Sequence, residues 1–149
     1  MKFPKRKHPR LKEYDYSNDG GYFVTVCVKN KEKLLGEPVL VNGKIKLTPI
    51  GETAEKHIKA INSAYDGVRV DSYMIMPDHI HMLITISGGM PSCRPTSLQT
   101  VVRTFKTMVT REIGFSVWQT SFYEHIVRDE KDYTDIDNYI KANPQKYAR

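Results

Sequence analysis

The sequence predicts an α+β domain of the ferredoxin-like kind, βαββαβ, in which an antiparallel sheet carries two helices on one face. Three observations lead there. β-Branched and aromatic runs at 21–30, 68–76, 79–86 and 121–128 alternate with two segments of helical period, 48–65 and 98–114. Asn42-Gly43 joins two short β runs within 39–47, the signature of a tight hairpin. A third helical segment, 129–144, follows the last strand. The core unit thus gains an added hairpin and a C-terminal helix, and 149 residues suit one domain, 1–149.

The elements follow in order. GYFVTVCVKN (21–30) is rich in strand formers. In TPIGETAEKHIKAINSAY (48–65), Thr48 is placed to cap a helix with Pro49 at its first position. Ile50, Ala54, Ile58, Ile61 and Tyr65 then keep the helical spacing of a buried stripe. VRVDSYMIM (68–76) and HIHMLITI (79–86) read as strands joined by a turn at Pro77-Asp78. GGMPSCRPTS (88–97) is a loop. Leu98, Val101, Val102, Phe105, Val109 and Ile113 line one face of the next helix, and Gly114 is a fitting stop. SFYEHIVR (121–128) is a short strand. Tyr133, Ile136 and Ile140 form the stripe of the last helix, which Pro144 is expected to close.

Net charge is +6, and MKFPKRKHPRLK holds six cations and no acid, so residues 13–149 are balanced. A basic arm, 1–12, on a neutral body points to phosphate contact through Lys5, Arg6, Lys7 and Arg10, or to a solvated tail. No apolar run approaches the roughly 20 residues of a membrane span, and no apolar core follows the basic N-terminus as in a signal peptide. Cys27 and Cys93 form neither a CxxC pair nor a disulfide framework. The expected compartment is the cytoplasm, with nucleoid association when bound to DNA.

PDHIHMLI (77–84) asks for a special explanation, since it places two histidines in an apolar strand. Side chains alternate along a strand, so Ile80, Met82, Ile84 and Ile86 pack under the helices while His79 and His81 face the other way. Two imidazoles there can converge on a divalent metal; the alternative is a single hydrogen bond for each at the strand surface. In the last helix, Tyr139 lies about 90° from the middle of the isoleucine stripe, and Asn143 follows one turn later on nearly the same line. That helix can present a phenol and an amide together; a packing tyrosine and a C-cap asparagine are the plainer alternatives. Arg103 and Lys106 share the polar face of the second helix, as phosphate contacts or as a solvated surface. His125 reads as a satisfied structural histidine, Trp118 and Gln119 as anchors, and Asp78 as a turn residue.

MPDHIHMLI resembles the HUH motif (His, hydrophobic, His) of single-strand DNA transposases and Rep-type nucleases. WQTSFYEHIVRDEKDYTDIDNYIKANP (118–144) resembles the tyrosine-bearing region of the single-tyrosine members, and RKHPRLKEYDYSNDGGYFVTVCVKN and LQTVVRTFKTMVTREI resemble the REP-associated branch. The resemblance implies a Mg²⁺- or Mn²⁺-dependent site and a single-stranded or hairpin DNA substrate. It matches His79 and His81 to the metal ligands, Tyr139 to the nucleophile and Asn143 to the residue completing the metal shell. The implied product is a 5′-phosphotyrosine with a free 3′-hydroxyl. Two imidazoles favour Mn²⁺ over the oxygen-seeking Mg²⁺, and no GxxxxGK[ST] loop is present, in keeping with chemistry that needs no ATP. Many members carry Asn where this chain has Asp78, so the role of that carboxylate stands open, as does the choice between monomer and homodimer. Two other classes compete: a domesticated hairpin DNA-binding module without strand transfer, and a small-molecule metallohydrolase, which would need a general base near the metal and no basic arm.

Overall fold

The computed structural model describes residues 20–87 and 97–147, with side chains as far as Ala142. The predicted element order is observed. Strands β1 (Gly20–Cys27), β2 (Gly36–Val41), β3 (Lys44–Leu47), β4 (Val68–Ile75), β5 (His79–Ile86) and β6 (Tyr123–Ile126) alternate with helices α1 (Pro49–Ala64), α2 (Leu98–Ile113) and α3 (Glu130–Tyr147). The main sheet has the order β4-β5-β1-β6 with every neighbouring pair antiparallel, which is the ferredoxin-like arrangement; β2 and β3 form a separate hairpin.

Local chemistry accounts for the element ends. Thr48 Oγ1 accepts from Gly51 N at 3.1 Å and Pro49 opens α1, as the sequence requires. Asn42 and Gly43 both take positive φ, 54° and 77°, the left-handed pair that a two-residue hairpin turn demands. Gly114 ends α2 at φ 96° with its N–H on Thr110 O. Two boundaries depart from expectation. The first strand stops at Cys27, and Lys29–Lys31 form a single 3-10 turn. The last helix does not close at Pro144 but runs through it to Tyr147. An interior proline gives up one ladder hydrogen bond and crowds the carbonyl four residues back, which favours a kink or an end but does not oblige one.

The sheet has two differently used faces. Val24, Val26, Ile80, Met82, Ile84 and Ile86 pack with Ile58, Ile61, Val102 and Phe105 of α1 and α2 into the main core. On the opposite face, α3 seats Ile136 and Ile140 against Leu83 and Val127, with Phe23, Met74 and Tyr133 around them. The face that two helices leave open is therefore partly roofed by the third. A bulge between Val70 and Ser72 in β4 makes the second contact possible. It inserts Asp71 as an extra residue, and the Asp71 carboxylate accepts from Thr85 Oγ1 at 2.6 Å and from Tyr133 OH of α3 at 2.7 Å.

Candidate active site

His79 and His81 project from β5 onto the α3 side of the sheet, as strand alternation requires. Their ring centroids are 4.7 Å apart. The turn that launches His79 is held by backbone bonds from Val28 N to Asp78 O (2.9 Å) and from Leu35 N to Pro77 O (3.0 Å). Each imidazole is oriented through its Nδ1. His79 Nδ1 lies 2.6 Å from Asp78 Oδ1. A carboxylate can only accept there, so Nδ1 carries a proton, which leaves Nε2 as the nitrogen that can offer a lone pair. Thr25 Oγ1, directly across from His81 in the β1–β5 register, lies 3.0 Å from His81 Nδ1 and can accept in the same way. Burial, and secondarily the charge of His79, push the His81 pKa from 6.5 down to about 4, so that ring is neutral at pH 7.

Tyr139 stands beside this pair. Its ring is 5.6 Å from that of His81 and 6.1 Å, edge-on, from Phe23, and the residue is 43% exposed. Exposure on the flank of a helix whose Ile140 is fully buried is the geometry the helical spacing predicted. Asp129 Oδ1 caps the start of α3 at Asp132 N (2.8 Å), and the Asp132 carboxylate receives Arg128 N (3.0 Å) and meets His125 Nε2 (2.9 Å). With the Tyr133–Asp71 bond, these contacts set the height and rotation of the helix that carries Tyr139. Asp71 is raised by burial, but its bonds with Arg69, Thr85 and Tyr133 outweigh that and hold it below the usual carboxylate range. Burial and the Asp71 bond push Tyr133 up to about 12.

The donor set fits a divalent metal as far as the described side chains reach. The two imidazoles stand with ring centroids 4.7 Å apart, and a carboxylate and a hydroxyl engage their Nδ1 atoms, the usual outer support of metal-bound histidine. Among the described residues no cluster of three His, Cys, Asp or Glu side chains could hold a metal, so a metal at the two imidazoles would need further donors. The Asn143 side chain is one candidate and lies outside the described residues, although α3 carries its backbone one turn past Tyr139.

The remaining predicted contacts separate. Lys5, Arg6, Lys7 and Arg10 lie outside the described residues, as does Cys93. Arg103 is exposed on α2, on the far side of the sheet from the histidines. Lys106 is half-buried, and its Nζ donates to Gln119 O at 2.6 Å and Ser121 O at 3.4 Å. Trp118 anchors its segment, 6% exposed and against Phe105. His125 is the structural histidine expected. Asp78 proves more than a turn residue; its place directly before a candidate ligand was the available signal. Thr25 could be found only through the strand register. No helix is long and apolar enough to cross a membrane among the described residues.

A family profile described as IS200-like transposase matches residues 16–143. The chain belongs to the IS200-like transposase family. Among relatives of this IS200-like chain, an uncharacterized protein of Haemophilus influenzae is 38% identical over 161 aligned positions, covering 93% of this chain and 88% of that one. A REP-associated tyrosine transposase of Escherichia coli is 29% identical over 80 positions, covering 53% of this chain and 46% of the relative. A solved structure titled as a REP-associated tyrosine transposase bound to a REP hairpin superposes with a TM-score of 0.67 at 23% identity, covering 93% of this chain and 72% of that one. At that identity the match establishes the shared fold.

Proposed function

We propose that this chain is a DNA strand transferase that cuts single-stranded DNA beside a hairpin, with Tyr139 as nucleophile and His79, His81 and Asn143 as metal ligands. The observation that carries the reading is the half-exposed Tyr139 phenol beside His81 within one chain, in a member of a transposase family. The same proximity favours action of Tyr139 at its own subunit's histidines. The hairpin bound by the structural neighbour supports a hairpin substrate here.

In the reaction, the Tyr139 oxygen forms a bond to phosphorus and the bond from phosphorus to the 3′-oxygen breaks. The phenol's proton leaves, and the released 3′-oxygen takes one up. The products are a 5′-phosphotyrosine and a 3′-hydroxyl. The ester is exchanged rather than hydrolysed, so a second 3′-hydroxyl can reverse the step and join a new strand. Mg²⁺ or Mn²⁺ at the imidazoles would supply positive charge to polarise a non-bridging phosphate oxygen. Thr25 and Asp78 fix the ring orientations that such a site needs, and Phe23 packs against both His81 and Tyr139.

The test is incubation with a labelled hairpin oligonucleotide bearing an unpaired flank, with Mn²⁺, followed by denaturing electrophoresis. A protein–DNA adduct is expected with the wild type and none with Tyr139→Phe, whose DNA affinity should stay within a few-fold. An adduct that persists in Tyr139→Phe would move the nucleophile elsewhere. Tight hairpin binding without any adduct would instead make the chain a DNA-binding module.

A further inference from the structure

The outer face of α2 and the segment 116–122 enclose a groove of about 650 Å³. It lies away from the histidine pair, across the thickness of the sheet, yet at the same end of β1. Gln119 N donates to Cys27 O at 3.0 Å, Val28 bridges Trp118, and Cys27 is the register partner of His79. The groove wall therefore abuts the strand end opposite His79.

Its lining is electrostatically one-sided. Arg103, Lys106 and Arg111 line it, and no carboxylate side chain does so among the described residues. Cations and acids balance over residues 13–149, so this is a local excess rather than a reflection of overall charge. Lys106 is held by the carbonyls of the 116–122 segment and stiffens that wall. Arg103 and Arg111 are exposed and make no hydrogen bond or ion pair among the described residues. Eight residues separate them, about 12 Å along the helix axis and about 80° around it, so both guanidinium groups border one opening. Trp118 and Phe122, each 6% exposed, supply apolar wall between the polar edges.

Concavity, paired cations and an aromatic wall select the guest. A duplex presents a convex backbone and takes a helix into its own major groove, so it cannot enter a concavity on a helix flank. An unpaired nucleotide can, since its phosphate meets arginine and its base meets an aromatic or apolar wall, the usual pairing of contacts for single strands. We propose that this groove binds one unpaired nucleotide of the DNA substrate, with its phosphate between Arg103 and Arg111 and its base against the Trp118 wall. The inference rests on the reading of the chain as a DNA strand transferase. The groove would hold the unpaired strand as it passes the end of β1, away from the bond being cut.

Trp118 is the only tryptophan of the chain, so its emission reports the groove directly. The experiment titrates full-length Tyr139→Phe protein with a hairpin carrying an unpaired flank, the same hairpin blunt-ended, and the flanked hairpin made abasic through its unpaired residues. Only the flanked hairpin with its bases should change Trp118 emission saturably. Replacing both arginines (Arg103→Ala, Arg111→Ala) should weaken its binding at least tenfold, as expected for lost hydrogen bonds to a charged group. The slope of log K against log salt should become shallower by about 0.7, the share of one single-strand phosphate contact. Both arginines are exposed, and circular dichroism checks that the variant folds. Unchanged emission at saturation, an equal response to the abasic flank, or wild-type affinity and slope in the double variant would each overturn the proposal. Adduct formation by the wild type, measured alongside, separates the two claims. An adduct with a silent Trp118 removes the groove alone, while a responsive Trp118 without an adduct removes strand transfer alone.

Discussion

Lowering the pH of the metal-free protein should cost stability through His81 in particular. Its pKa falls from 6.5 to about 4 on folding because the ring is buried and stands beside His79. Between those values the unfolded chain binds a proton that the folded chain refuses, so stability must rise with pH in that window. The His81 contribution is complete above about pH 6.5, declines as the pH falls toward 4, and levels off below that. At about 1.4 kcal/mol for each pH unit, the drop comes to about 3 kcal/mol, a sizeable part of a typical domain's stability. Urea unfolding with a chelator present, at half-unit steps from pH 7.5 to 4, would measure it. The same series on His81→Gln isolates the residue, because the other titrating groups remain in both proteins. The variant should lose most of the slope between pH 6.5 and 4. An identical slope in the two proteins would mean that His81 is protonated as readily folded as unfolded, and the case for a preformed neutral ligand would fall.

Other outcomes follow from the same geometry. Tyr133→Phe removes a bond to a carboxylate that also serves Thr85, so urea unfolding should show a loss of about 1.5–3 kcal/mol, with adduct formation reduced as α3 loosens. Asp78→Ala leaves His79 without its orienting acceptor and should weaken Mn²⁺ binding, measured by calorimetry, about 10- to 100-fold; unchanged affinity would return Asp78 to a plain turn residue. Ile140→Ala empties a fully buried position under α3 and should cost about 2–5 kcal/mol in thermal or urea unfolding. Deleting residues 1–12 removes six cations and should flatten the salt dependence of DNA binding by roughly 2 in log–log slope if the arm makes two or three phosphate contacts. An unchanged slope would leave the arm a solvated tail.

Much of this protein follows from patterns local in the chain. Alternation in 79–86 assigns the histidines to one face and the isoleucines to the other, because a strand cannot turn single side chains independently. The Thr48-Pro49 start, the Asn42-Gly43 turn and the Gly114 stop are dictated by backbone sterics within a few residues. The isoleucine spacing of the last helix places Tyr139 on its flank before any partner is known. Where local rules compete with packing, they fail: Pro144 was a plausible helix end, yet α3 runs past it. Helical period places Lys106 on a polar face, while its bonds to the Gln119 and Ser121 carbonyls depend on how the segment after α2 folds back. The meeting of Tyr139 with His81 spans 58 positions of sequence and depends on Ile136 and Ile140 docking on Leu83 and Val127, with a β4 bulge turning Asp71 toward Tyr133. The support of His81 by Thr25 depends on the β1–β5 register. Residue type and period are short-range properties and can be read along the chain. Register, docking and the pairing of distant polar atoms arise from contacts between segments far apart in sequence, and the tertiary structure alone decides them.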